Sequence, residues 1–221
     1  MCGRYTLTTP DLAPIGAVLG VTLPAVPVSY NIAPSLPVPI IRVGARGGYE
    51  LAWVKWGLVP HWAKEPRSEY STINARAETV SVKPAFRDAF RRRRCLIPAD
   101  GFYEWQKQGT GKQPWYIHRK DRQPFAFAGL WERWQGGDEA LETCAIIVTE
   151  ANALIRPIHG RMPVILPPET YRAWLDPATP TQTLLPLLAP YSADELTAEP
   201  VSARVNNPRN DGPELIRPLD S

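Results

Sequence analysis

Histidine, methionine and cysteine are all scarce in this 221-residue chain, at 3, 2 and 3 residues. The cysteines, Cys2, Cys95 and Cys144, are isolated, odd in number and without metal-ligand spacing. That argues against a disulfide framework and against a zinc site, and reads as a reducing, intracellular protein. No metal and no cofactor are expected. The opening MCGRYTLTTP lacks an apolar signal core, and residues 15–28 are too short and too interrupted by proline to span a bilayer. No membrane association is expected. Internal repeats and sharp composition shifts are missing as well, so the chain is expected to form one domain. Strong charge is absent: a formal +3 and a pI near 8.8 suit a polyanionic partner without demanding one.

What is abundant is proline, 25 against 15 glycines, which suggests short segments joined by stiff turns and disfavours long helices. Residues 3–8 alternate as a strand, and Thr9-Pro10-Asp11 supplies an N-cap, an N1 proline and an early acid for a short helix ending near Gly20. Cys2 would then sit just before a strand. Residues 38–43 and 49–56 flank a Gly-rich turn and fit a hairpin. Residues 102–108, 115–119, 125–134 and 141–148, divided by turn residues, suggest an antiparallel meander. Helical patterning is strongest, in short pieces, at 83–92, 150–155, 168–175 and 181–188. The mixture is α+β, with residues 206–221 as an extended tail.

Cys2 carries the most chemistry. Loss of Met1 would leave an α-amine with a pKa of about 7.7–8.0 and a thiol of about 8.5 on one residue, a 1,2-aminothiol able to condense with an aldehyde and close a thiazolidine ring. By position alone, an incidental small residue is the simpler reading. Arg4, two residues on, could hold a phosphate or be a solvated charge. Asn74 and Arg76, two apart, could serve one pocket in an extended segment, although read locally Asn74 is favoured as a helix cap. Glu104 lies among aromatics in GFYEW, where desolvation would raise its pKa toward neutrality; a surface glutamate is the plain alternative. His159 stands beside Arg161 in HGRMP and could protonate a sugar oxygen, while His61 and His118 are assigned to packing or surface. Trp56, Trp62 and Trp105 could stack unpaired bases or fill the core. Arg91 to Arg94 could line a nucleic-acid groove or form a solvated face.

The order and spelling of these segments resemble the SOS response-associated peptidase (SRAP) family. The resemblance rests on MCGRY at the start, YNIAPS from Tyr30, WGLVPHW from Trp56, NARAET from Asn74, RRCLIPADGFYEW from Arg93, HGRMPVIL from His159 and VSARVNNPRND from Val201. It implies a compact α+β domain with an antiparallel β-barrel-like core. It also implies a partner, single-stranded DNA containing abasic sites, which the family shields through a thiazolidine crosslink at Cys2. By the same resemblance Asn74 orients the reacting group, Glu104 moves protons and His159 assists ring opening and reversal. Arg4, Arg76 and Arg161 would hold phosphates, with Trp56, Trp62 and Trp105 along the DNA path. The same residues would serve autocatalytic removal of Met1. A monomer in the cytoplasm, or on the nucleoid of a bacterium, acting beside replication-fork proteins, completes the expectation. Two other classes compete: the glutamine amidotransferases with an N-terminal nucleophile, some of which also begin Met-Cys-Gly, and a module that coats single-stranded DNA without chemistry.

Overall fold

The computed structural model describes residues 2–66, 72–136 and 140–219. Met1 and the last two residues of the expected tail lie outside them. In chain order the first elements are β1 (Tyr5–Leu7), helix α1 (Ala13–Leu19), β2 (Ser29–Ile32), β3 (Pro37–Val43), β4 (Tyr49–Trp56), β5 (Asn74–Arg76) and helix α2 (Arg87–Arg92). There follow β6 (Arg94–Ala99), β7 (Gly101–Gln108), β8 (Gly111–Arg119), β9 (Phe125–Trp134) and β10 (Leu141–Glu150). The order closes with β11 (Arg161–Pro163), β12 (Ile165–Leu166), helices α3 (Tyr171–Leu175) and α4 (Thr181–Leu184), and β13 (Leu196–Pro200). The expected β3–β4 hairpin forms in register from Pro37↔Lys55 to Val43↔Tyr49. Gly47 and Gly48 turn it with φ of 77° and 76°, a region that other residues enter only with strain.

Two sheets result. One runs β13-β8-β7-β1-β2; the other runs β11-β10-β4-β3-β6-β9-β12, and β10 also pairs with β9. That second pairing closes β10, β4, β3, β6 and β9 into a five-stranded barrel, the α+β architecture that the resemblance implied. β4 and β5 both meet β10 in parallel, at Thr143↔Lys55 and Ile146↔Asn74. Barrel strands have one face inside and the other under the first sheet and the short helices, which is why all of β6 is buried. Tyr5 plugs the barrel, edge-on to Trp56 at 5.4 Å and to Phe127 at 5.7 Å. Beside it β1 pairs with β7 at Thr6↔Gly101, where a Cβ on Gly101 would lie 2.4 Å from the Tyr116 ring. Only glycine lets that ring approach the backbone. No helix among the described residues is long and apolar enough to cross a membrane.

Several local expectations give way to tertiary contacts. The meander is divided, because β8 takes β13 as its second neighbour, from Leu196↔Arg119 to Pro200↔Trp115, and β9 joins the barrel instead. Helix α1 begins at Ala13, not at the Thr9 cap: the Thr8 and Thr9 amides and the Thr8 hydroxyl donate to Asp100 Oδ2 at 2.5, 2.9 and 2.7 Å. The buried carboxylate ties Thr8 and Thr9 to the start of β7, and at the helix start it is Asp11 Oδ1 that accepts from the Ala13 amide at 2.8 Å. Where a helix was expected over 150–155, Glu150 ends β10 and a turn follows from residue 153, with Asn152 Oδ1 accepting from the Ile155 amide at 3.0 Å. Arg94 is no part of a solvated face; it is 3% exposed and donates to the carbonyls of Phe90, Arg91, Trp174 and Asp176 at 2.5–2.8 Å.

The tail is not extended either. Residues Ala203–Asn206 and Pro213–Ile216 form 3-10 turns, and Val201 bridges Pro218. Val205 and Leu215 are fully buried with Tyr103 and Tyr116 in a small second core. The chain end is thereby strapped over the outer face of β7 and β8.

Candidate active site

The β1–β7 ladder decides where Cys2 goes. Tyr5 pairs with Phe102 and the Tyr103 amide donates to the Arg4 carbonyl at 3.0 Å, so continuing the antiparallel run brings residues 2–3 alongside Glu104. Alternation puts Phe102 and Glu104 on the face toward the barrel, and Tyr103 and Trp105 on the face toward the strap. Cys2 is wholly buried. Burial, and secondarily the charge of Glu104, hold its thiol far above the ordinary range. Such a thiol is neutral, and attack through sulfur needs a nearby group to take its proton.

Glu104 can be that group. It is 2% exposed, and burial raises its carboxyl from 4.5 to about 7, where gaining and losing a proton are both easy near neutral pH. His159 Nδ1 lies 3.7 Å from Glu104 Oε2. The same nitrogen is 3.0 Å from the Arg161 amide, which fixes the ring. Burial lowers the pKa of His159, and the Lys112 and Arg161 charges add to that.

Asn74 arrives from the other sheet. It is not a helix cap: β5 lies parallel to β10, and Asn74 is 8% exposed. The Trp56 indole donates to the carbonyl of Ile73 at 2.9 Å, and Trp56 packs on Tyr5, so β5 joins the corner where Cys2 lies. Among the described residues, neither side-chain polar atom of Asn74 has a hydrogen-bond partner. Buried amides left so cost roughly 1–3 kcal/mol per group, a cost that binding a polar ligand would recover. Ala75 is wholly buried and Arg76 exposed, so Asn74 and Arg76 share the face away from the core. There Arg161 donates to Glu78, whose carboxylate Arg76 also stabilises. The two arginines thus converge on one anion.

Arg4 and Trp105 are held by the strap. Arg4 Nη1 donates to Asn31 Oδ1 and to the Val205 carbonyl, both at 2.7 Å, and lies 6.0 Å from the Trp105 ring. The Trp105 indole donates to Asn206 Oδ1 at 2.7 Å. The tryptophans expected along a DNA path therefore separate. Trp56 is wholly buried, so it offers no ring face to a base and belongs to the core. Trp62 is 57% exposed, but its loop is tied elsewhere: the Trp134 indole donates to the Ala63 carbonyl at 2.8 Å and His61 meets Glu132 at 3.1 Å. Those partners sit opposite Leu141 and Thr143 at the start of β10, whereas Arg161 sits opposite Glu150 at its end, about 23–30 Å away at the rise of a strand. His118 is structural, between Glu199 and the Arg119 carbonyl.

Sequence reasoning passed over Asn31. It is 2% exposed, accepts from Arg4, and its Nδ2 lies 3.3, 3.1 and 2.7 Å from the carbonyls of Val205, Asn207 and Asn210. The signal was present in YNIAPS and VSARVNNPRND, two polar motifs far apart in sequence whose meeting only the fold reveals.

Residues 1–208 match the model of a family described as SOS response associated peptidase (SRAP). The chain belongs to the SRAP family. Among curated SRAP relatives, the abasic site processing protein YoqW of Bacillus subtilis is 47% identical over 192 residues, covering 85% of each chain. The abasic site processing protein YedK of Escherichia coli is 34% identical, covering 86% of this chain and 84% of its own. The abasic site processing protein HMCES of Xenopus tropicalis is 36% identical, and the match spans 65% of that longer protein. A crystal structure of a Bacteroides thetaiotaomicron protein superposes with a TM-score of 0.84 at 27% identity, over 99% of this chain and all of that one.

Proposed function

We propose that this SRAP chain processes abasic sites in single-stranded DNA by forming a covalent thiazolidine through Cys2 after Met1 is removed. The reading is carried by one observation: a nucleophile at the chain start is aligned with a buried carboxyl of pKa about 7, itself 3.7 Å from a histidine. The names of its relatives, abasic site processing proteins, supply the substrate class.

The chemistry balances with these groups. To release Met1, the Cys2 sulfur adds to the Met1 carbonyl carbon as Glu104 takes the thiol proton. The C–N bond breaks as that proton passes to nitrogen, and water hydrolyses the thioester to free methionine and an N-terminal aminothiol. At an abasic site His159 protonates the ring oxygen of the deoxyribose as the sugar opens to its aldehyde. The Cys2 amine adds to that carbon, Glu104 gives a proton to the departing hydroxyl, and one water leaves. Glu104, now ionised, takes the thiol proton as the sulfur closes the ring onto the protonated imine. Asn74, both of whose amide atoms lack partners among the described residues, hydrogen-bonds the reacting oxygen. Arg76 and Arg161 take flanking phosphates in place of Glu78, and Arg4, held beside Trp105 by the strap, takes another. Running these steps backward returns the aldehyde, which is the route to crosslink reversal, and the adduct protects the lesion until repair or replication has passed it.

The test is the intact mass of processed protein mixed with an abasic single-stranded oligonucleotide under denaturing conditions. The expected product weighs protein plus DNA less one water, and Cys2→Ala and a form retaining Met1 give none. Free protein and free DNA alone would sink the mechanism. Ammonia release from glutamine, lost in Cys2→Ala, would move the chain to the amidotransferase class.

A further inference from the structure

Lys107 and Lys112 stand directly opposite each other near the tip of the β7–β8 hairpin. Both are exposed, and neither has an ion-pair partner among the described residues. Around them the chain reads QKQGTGKQ from Gln106 to Gln113, with two cations and no acid. Like charges directly opposite on a ladder weaken a hairpin, so folding gives no reason for the pair.

The position of the pair supplies one. Residues 103, 105 and 107 share a face of β7, and their partners on β8 are Tyr116, Pro114 and Lys112. Along this face a half-buried Trp105 ring lies between the Arg4 guanidinium, 6.0 Å from its centroid, and the two lysines. An aromatic ring flanked by cations is the chemistry that grips single-stranded nucleic acid, a base on the ring and phosphates on the charges. The hairpin is also tied to the reacting corner. Gln106 Nε2 donates to the Pro157 carbonyl at 3.1 Å, fastening β7 to the loop that carries His159, and Lys112 is near enough to add to the depression of His159. Three residues of strand separate Glu104 from Lys107, about 10 Å, so the pair addresses a neighbouring phosphate and not the reacting sugar.

We propose that the Lys107–Lys112 pair is a phosphate-binding site for the DNA strand flanking the abasic position, with Trp105 as the stacking platform between that site and Cys2. It rests on the reading that this chain binds single-stranded DNA. A bound phosphate neutralises the repulsion between the lysines, so the hairpin carries its strain only until the strand arrives.

Stability and binding should therefore part company in Lys107→Glu, which turns a repelling pair into an attracting one. Its melting temperature is expected to equal or exceed that of the parent. Its affinity for an undamaged single-stranded oligonucleotide, read by fluorescence anisotropy, should fall about tenfold or more, with the slope of log K against log salt shallower by about 0.7. Lys107→Gln combined with Lys112→Gln should lose affinity and slope in the same direction, which keeps the test open if the glutamate variant folds poorly. Parental affinity and slope in both variants, while Arg76→Gln binds more weakly, would overturn the lysine site alone. Absence of binding by the parent protein at any salt would overturn the DNA reading together with it.

Discussion

Replacing Glu104 with glutamine should stabilise the fold at neutral and alkaline pH while stopping the chemistry. The carboxyl is 2% exposed, and burial raises it from its ordinary 4.5 to about 7. Below about pH 4.5 the folded and unfolded chains both carry the proton, and ionisation costs the fold nothing. Between the two values the unfolded chain ionises while the folded one keeps its proton, so the cost grows with pH. Above about 7 it levels off at roughly 3 kcal/mol, the span from 4.5 to about 7 at about 1.4 kcal/mol per pH unit. Glutamine fills the same space without titrating. Urea unfolding of both proteins from about pH 4 to about pH 9 should show the variant gaining on the parent between about pH 4.5 and about pH 7 and keeping that lead above it, equivalent to ~6–12 °C in melting temperature for a chain of this size. Crosslinking should fall by about 10²- to 10⁴-fold in the same variant. A stability difference that does not change with pH, or a glutamine variant less stable at alkaline pH, would refute the burial argument.

Two further substitutions probe what holds the site in place. Arg94→Ala leaves four inward-facing carbonyls of α2 and the α3 end without their shared donor, and should cost about 3–5 kcal/mol in chemical unfolding; a loss below about 1 kcal/mol would show that the guanidinium is dispensable. Asn31→Leu removes the hub joining Arg4 to three strap carbonyls. A loss of roughly 2–4 kcal/mol is expected, with faster tryptic cleavage at Arg204 and Arg209, and unaltered cleavage there would mean that the strap is anchored by its apolar residues instead.

How far the sequence could be read differs between elements. The β3–β4 hairpin was legible because alternation and a Gly-rich turn are local signals, complete within twenty residues. Helix α1 was misplaced at its start because Thr8 and Thr9 are tied to Asp100, about ninety positions away. Asn74 read as a cap because nothing near it in sequence announces β10, its partner in space. Arg94 looked like one more surface arginine in a basic run, and only the docking of α3 made it a buried staple. Trp56 and Trp62 sit six residues apart in one aromatic motif, yet one fills the core and the other stands in solvent.

By itself the sequence determined the chemistry available to this protein: a cysteine at position two, a glutamate among aromatics, a histidine beside an arginine, and the ordered motifs of the SRAP family. These are properties of residue types and of short segments, and they survive without coordinates. The tertiary structure alone decided which of them meet. Burial raised Glu104 toward neutrality and kept the Cys2 thiol protonated, and the parallel pairing of β5 with β10 fixed the place of Asn74, 72 positions from Cys2 in sequence. The strap turned Arg4 and Trp105 into a fixed wall. Desolvation and long-range pairing depend on what surrounds a residue in three dimensions, and no local pattern in the chain encodes that neighbourhood.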